Sequence, residues 1–429
     1  MIRLPAPPLT QTLAGGVPPE GLGVWFSATL IKMLVVFTTY MVGVALLTLA
    51  ERKVSAWIQG RLGPNRVGPG GIGQPFADGL KNIMKEETYP AQAYKPLFIL
   101  APAMSFIPAL ITWAVIPFGA PWDSRWGRID MALAPLPVGF LYILAISSLG
   151  VYGIVLAGWA SNNKYAFLGG LRSSAQMVSY EIAMGMSTIP VLLLAGNVAL
   201  DDVVAQQAVT GWNVLTLTLA FFIFMIAAFA ETNRLPFDLP EAESELIAGY
   251  HSEYSAMKFS FFFIAEYANV MTASALMATL FFGGWDIPFT MWDNLAPHTG
   301  LKTLLTALAF LVKILLFIFL FMWIRWTLPR FRYDQLMALG WKVLLPLSLG
   351  YIVVVAGVIL ALEAAGIRRG LMFGAALFGV NVVVMVLVVL GLDRGRVISP
   401  ATTRIGTDEL NRLRTLPYRR SAAAAEVGD

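Results

Sequence analysis

Runs of 19 or more apolar residues recur along the whole chain, divided by short polar or Gly/Pro-rich stretches. One such run is long enough to cross the ~30 Å hydrocarbon core of a bilayer as a helix. In lipid a helix satisfies its own backbone hydrogen bonds, which makes it the economical way across. The pattern predicts nine spans, at about 24–50, 96–118, 133–159, 175–197, 212–230, 258–283, 303–324, 342–363 and 371–391. The fold class is all-α: a polytopic integral membrane protein, with no internal repeat.

The stretches between the runs are not uniform. "QPFADGLKNIMKEE" at 74–87 places Phe76, Leu80, Ile83 and Met84 on one helical face and Asp78, Lys81, Asn82 and Lys85 on the other. Pro75 suits the first turn. This predicts an amphipathic helix in the membrane interface, either a surface cover or a guide for a lipid-like ligand. Upstream, "GRLGPNRVGPGGIG" has the glycines of a dinucleotide loop but not the strand and βαβ unit that such a loop needs. Residues 1–23 are Pro/Gly-rich and carry no signal-peptide core. The tail 392–429 is basic.

Composition agrees with the pattern. The 429 residues are 57% apolar and 13% charged, with mean hydropathy +0.70, against roughly 25% charged residues in soluble domains. The chain has no cysteine, which excludes disulfides, thiolate nucleophiles and Cys-ligated iron–sulfur clusters. His251 and His298 are the two histidines, too few for a His-rich metal or haem site. Any electron carriers belong to other chains. The basic pI near 9.2 reflects membrane topology, not nucleic acid. With the N-terminus outside, inside segments hold 22 Lys and Arg and outside segments six, and that bias orients the chain N-out, C-in.

The stretch "ETNRLPFDLPEAESELIAGYHSEY" at 231–254 then faces the cytoplasm. Glu231, Asp238, Glu241, Glu243, Glu245 and Glu253 stand there against a single arginine, Arg234. Glu181, Glu266 and Lys313 fall within spans, and Glu231 ends the fifth. Ionisable groups in a membrane are costly and usually functional. A Glu held by hydrogen bonds for packing alone is the plain alternative. Several acids leading into one acidic loop point instead to a proton path, or a charged relay, starting at the cytoplasmic face.

Four segments are long and specific: "ERKVSAWIQGRLGPNRVGP" at 51–69, "AGWASNNKYAFLGGLRSSAQMVSYE" at 157–181, "AETNRLPFDLPEAESELIAGYHSEY" at 230–254 and "LPRFRYDQLMALGWKVLLP" at 328–346. They closely resemble the H-type membrane subunits of proton-pumping NADH:quinone oxidoreductase, respiratory complex I, whose mitochondrial-type counterpart is subunit 1. The similarity covers about 24–363. The resemblance implies a membrane subunit joining the redox arm to the pumping arm, with cytoplasmic loops that form the membrane side of a quinone chamber. Quinone is then the substrate, and iron–sulfur clusters and flavin sit in partner subunits. Partners are the other membrane subunits and the quinone-module peripheral subunits, in the bacterial inner membrane.

By motif, the resemblance carries quinone-chamber roles onto Glu51, Arg52 and Arg61, and onto Asp78 and Lys81 of the amphipathic helix. Arg234, Phe237 and Asp238 would border the headgroup route. Glu231, Glu241, Glu243 and Glu245 would begin the acidic path that Glu181 and Glu266 continue. Arg330, Arg332 and Asp334 would face the peripheral arm, or serve topology alone. The chain departs from the family in one respect. The family core usually ends with the eighth span, whereas "LMFGAALFGVNVVVMVLVVL" at 371–390 (within an extra segment, 364–391) adds a further run. It holds no motif residue and reads as peripheral. The competing readings are the related membrane subunit of an energy-converting hydrogenase and a stand-alone ion transporter, which would show inverted repeats and broken helices.

Overall fold

The computed structural model describes residues 22–124, 127–239, 247–288, 290, 292–367 and 369–392. In chain order the helices are α1 (Leu22–Ile58), α2 (Gln74–Met84), α3 (Lys95–Ile111), α4 (Gly139–Ala160), α5 (Lys164–Ala195), α6 (Leu200–Thr210), α7 (Asn213–Thr216) and α8 (Thr218–Glu231). They continue with α9 (Ala256–Phe281), α10 (Gly300–Thr327), α11 (Tyr333–Ala338), a π-helical turn (Leu339–Leu344), α12 (Leu345–Ala364) and α13 (Leu371–Leu392). Two short strands, β1 (Trp122–Ser124) and β2 (Gly127–Ile129), pair antiparallel with Trp122 opposite Ile129.

Among the described residues, eight helical segments are long and apolar enough to cross a membrane, with α11 to α12 counted as one. One unit runs to Val382. A second begins at Val383, of which residues 383–392, the end of α13, are described.

Within the first unit α3 packs on α4 and α9, α4 on α5, and α5 on α8. Lipid tails are as apolar as leucine, so such packing depends on close approach, and small residues permit it. A Cβ at Gly153 would stand 2.2 Å from the Ser105 hydroxyl, and one at Gly158 would stand 2.7 Å from the Ala166 carbonyl. Phe98 and Tyr254 stack at 4.0 Å with their planes 4° apart. Ile154, Met177, Tyr250 and Phe262 surround that pair.

The first helix runs on to Ile58, past the expected end at 50, and three other elements differ from the expectation. The helix expected at 175–197 starts at Lys164, because Asn163 caps it: its side-chain oxygen accepts from the Tyr165 N–H at 2.9 Å. The amphipathic helix expected over 74–87 ends at Met84, and none of its residues is buried. The span expected at 212–230 is interrupted. Leu217 has φ −131° and ψ 44°, leaving the single turn α7 and the 14-residue α8. At 1.5 Å per residue α8 is about 21 Å long, short of the ~30 Å core. The break follows from tertiary bonds. The Asn213 side chain donates to the Leu280 carbonyl at 2.9 Å, and its N–H donates to the Gln207 side chain at 3.2 Å. These bonds fix α7 to α9 and α6.

Candidate functional site

The site is built where α8 ends. Beyond Glu231 the chain turns at Asn233, whose φ of 49° is left-handed. Such a backbone is held only by surroundings that specify it. Gln176, fully buried on α5, supplies them. Its amide donates to the Ala230 carbonyl (2.8 Å), the Asn233 side-chain oxygen (3.2 Å) and the Phe237 carbonyl (2.9 Å). The Asn233 amide donates to Ser173 at 3.2 Å. Phe237 is buried between the rings of Tyr180 (5.7 Å) and Phe331 (5.5 Å).

This turn carries Arg234 into the helices. The guanidinium reaches both oxygens of Glu51 on α1 at 3.2 Å, and its Nε lies 2.9 Å from Glu266 on α9. Its central carbon lies 4.4 Å over the ring of Tyr267, where a cation meets the negative face of the π system. Arg325, near the end of α10, pairs with the same Glu51. Arg234 is 8% exposed and Glu51 9%. Among the described residues, two cations thus meet two carboxylates in a buried network, in which removing one partner strands the other.

Two small cavities flank it. One, of ≈ 20 Å³, lies among Glu51, Arg234, Tyr267 and Arg325. The other, of ≈ 40 Å³, is lined by Glu231, Asn233, Tyr250, Glu266 and Asn269, with Ser105 and Ser147. Apolar side chains, among them Ile154, Met177 and Phe262, complete its wall, and its polar groups offer partners to a water of that size. Glu231 and Glu266 therefore share one cavity, and Glu266 also touches Arg234. Glu181 stands on α5 and accepts from Ser148 of α4 at 2.5 Å.

Of the other residues singled out, Arg52 and Asp78 pair at 2.6 Å, tying α1 to α2. Asp238 pairs with Arg330 at 3.1 Å. Burial pushes the Asp238 carboxyl up, against the pull of Arg330 and Arg234. Arg61 is exposed and bonds only locally, to Gln59 at 2.5 Å. Lys81 lies exposed on α2. Arg332 and Asp334 are exposed, 3.8 Å apart. Glu241, Glu243 and Glu245 lie outside the described residues. The sequence reading missed Gln176, Tyr267 and Arg325. Glu51, Arg234 and Glu266 meet in one network, while Phe237 is a packing residue in the wall beside it.

Membrane-length helices around this buried charge network define a multi-pass membrane protein with ionisable groups carried into its interior. A sequence profile of the NADH dehydrogenase family matches residues 31–356, and the chain belongs to that family. It is 50% identical over 325 residues to an H-subunit of NADH-quinone oxidoreductase from Cytophaga hutchinsonii, covering 76% of this chain and 94% of that protein. It is 51% identical to the NADH-quinone oxidoreductase H-subunit of Leptospira biflexa, over 74% of this chain and 91% of the relative. The protein of the same name from Paramagnetospirillum magneticum is 50% identical over 355 residues, 82% of this chain and 98% of that one.

Proposed function

We propose that this chain is the membrane subunit of an NADH:quinone oxidoreductase, bounding the quinone chamber and passing the charge change of quinone reduction into the membrane. The observation that carries this reading is one guanidinium shared by two carboxylates from different helices, Glu51 and Glu266. Reduction of a quinone takes two electrons and two protons. The electrons come from a partner chain. The protons must pass groups that titrate beside the chamber. The end of α1 with Arg52, the helix α2 with Asp78 and the turn with Asp238 would form its wall, in an inner membrane with the 231–254 stretch toward the cytoplasm.

Sharing makes the two acids interdependent. Protonating Glu51 frees Arg234 for Glu266, and ionising Glu51 draws it back. A charge pair ~4 Å apart is worth about 4 kcal/mol at an effective dielectric of 20, enough to couple the two protonation states strongly. Glu266 opens onto the cavity that Glu231 also lines, so a proton given up at Glu266 has a space to enter. Glu181, together with Glu241, Glu243 and Glu245, would extend that path.

The break at Leu217 is a feature that stand-alone transporters use at their ion sites. Here it lies at the opposite end of α8 from Arg234, and protein side chains fill its backbone positions. Copurification separates the readings: a transporter would purify without iron–sulfur partners. The direct test is Glu266→Gln, which keeps size and hydrogen bonding but cannot exchange a proton. The assembled variant should keep NADH oxidation with a water-soluble acceptor and lose most quinone-linked proton translocation in proteoliposomes. Pumping at the wild-type level would sink the relay.

A further inference from the structure

The last described helix, α13, lies beyond the matched family region, residues 31–356. Within its run 371–390 a single residue, Asn381, has a polar side chain. A lone amide in an apolar membrane helix needs partners inside the protein. Asn381 is 3% exposed and finds three. Its side-chain nitrogen donates to the Leu215 carbonyl at 3.3 Å. Its oxygen accepts from the Leu219 N–H at 3.5 Å and from the Tyr351 hydroxyl at 3.0 Å.

Leu215 and Leu219 are four residues apart. In an unbroken helix the Leu219 N–H would donate directly to the Leu215 carbonyl. The break at Leu217 parts that pair, and the Asn381 amide stands between them, donating to one and accepting from the other. The Thr218 hydroxyl serves the neighbouring lost bond from within, 2.7 Å from the Val214 carbonyl and 3.2 Å from the Leu215 carbonyl, so the Leu219 N–H is the group that depends on Asn381. Lipid offers no substitute for either bond.

The same helix and the residues before it meet two further helix ends. Arg369 donates to the Leu194 carbonyl in the last turn of α5 at 3.1 Å. Gly374 lies against the Thr210 carbonyl at the end of α6, where a Cβ would stand 2.3 Å from that oxygen. Phe373 and Leu377 are buried beside it.

We propose that α13 caps the interrupted fifth span, Asn381 standing in for its missing backbone hydrogen bond, and that Asn381 is thereby a positioning residue for α8. The opposite end of α8 carries Glu231 and leads into Arg234, so the axial placement of α8 sets both. This second half rests on the relay reading, whereas the cap does not.

The experiment is amide hydrogen exchange on the intact complex in lipid nanodiscs, alongside proton translocation per electron pair. In the wild type the Leu219 amide should exchange as slowly as the interior of α9. Fast exchange there would overturn the cap with no variant made. In Asn381→Leu, exchange at Leu219 should rise at least tenfold, and unchanged exchange would overturn the cap. Gly374→Val, which pushes α13 away without touching Asn381, should act the same way. An unchanged rate there would likewise count against the cap.

For the positioning role, Asn381→Leu should lower protons pumped per electron pair while NADH oxidation with a water-soluble acceptor holds. Asn381→Gln should restore much of that ratio. A normal ratio in the leucine variant, with exchange raised, would overturn positioning. Failure of the relay itself would appear separately, as normal pumping in Glu266→Gln.

Discussion

Two buried cations bind the same helix, α9, and do different things. Arg234 meets it at Glu266 and is shared with Glu51. Lys313, mid-way along α10, meets the turn beyond its other end. The Lys313 ammonium donates to the carbonyls of Phe282 (2.6 Å), Gly284 (2.9 Å) and Asp286 (2.5 Å), 4.7 Å over the ring of Trp212. Carbonyls do not titrate, so through these bonds Lys313 works as a helix cap, placed where the helix dipole favours a cation, while the carboxylates of Asp286 and Asp293 act on it only through space. Carboxylates do titrate, so the charge around Arg234 can be redistributed. In the sequence Lys313 reads as a costly membrane charge and Arg234 as the single cation of a cytoplasmic acidic loop. Partner chemistry separates architecture from relay.

The largest expected effect breaks the Arg234 side of this contrast. Arg234→Ala leaves Glu266 buried without its guanidinium and Glu51 with Arg325 alone. Truncating one partner of a buried pair costs about 3–5 kcal/mol. The assembled complex should melt well below wild type, and its quinone reductase rate should fall far more than its rate with a water-soluble acceptor. Wild-type values for both would reduce the network to passive pairs.

A titration adds a third kind of buried ionisable group. His251 packs against Tyr250 and Phe259, and burial pushes it down from 6.5 to about 4. The folded chain therefore holds it neutral, while the unfolded chain takes up a proton below about pH 6.5. Its contribution is complete above pH 6.5 and is lost as pH falls toward 4, by at most about 3 kcal/mol. Comparing melting temperatures of wild type and His251→Gln across pH 4–7 should show a shallower acid decline in the variant. Parallel curves would contradict the assignment.

Lys313→Met sharpens the other side. It leaves three carbonyls short of a donor, a loss of about 1–3 kcal/mol. Melting should fall by that amount, with protons pumped per electron pair unchanged. A lowered ratio in the folded complex would move Lys313 out of the architecture and into the path.

The spans were legible because lipid demands long apolar runs, the resemblance motifs pointed at Glu51 and Arg234, and a carboxylate inside an apolar run pointed at Glu266. Their meeting was not legible. Arg234 and Glu51 lie 183 residues apart, and nothing local in either segment marks the other. Arg325 was hidden among cations counted for topology. Gln176 and Tyr267 are neutral, so a search for charge passed over them, although Gln176 shapes the turn. The fifth span looked continuous because "NVLTLTLAFFIFMIAAFA" contains no Gly or Pro. Its break is tertiary, set by what Asn213 bonds. The early start of α5 was masked by Gly169 and Gly170, which suggest a loop. A Cβ at Gly169 would stand 2.6 Å from the Gly249 backbone, so that glycine serves close packing within the helix.

The bond between Asn381 and Leu215 also has a place in time. The two residues are 166 positions apart, and a ribosome adding about 5–20 residues per second covers that distance in roughly 10–30 s. Throughout that interval the nascent chain holds an interrupted helix whose completing amide has yet to be synthesised. The Thr218 hydroxyl already reaches the Leu215 carbonyl, but the Leu219 N–H must meanwhile be sheltered by water, by the insertion machinery or by a neighbouring chain. Biogenesis of this protein thus has a vulnerable window that closes only when α13 joins the earlier helices.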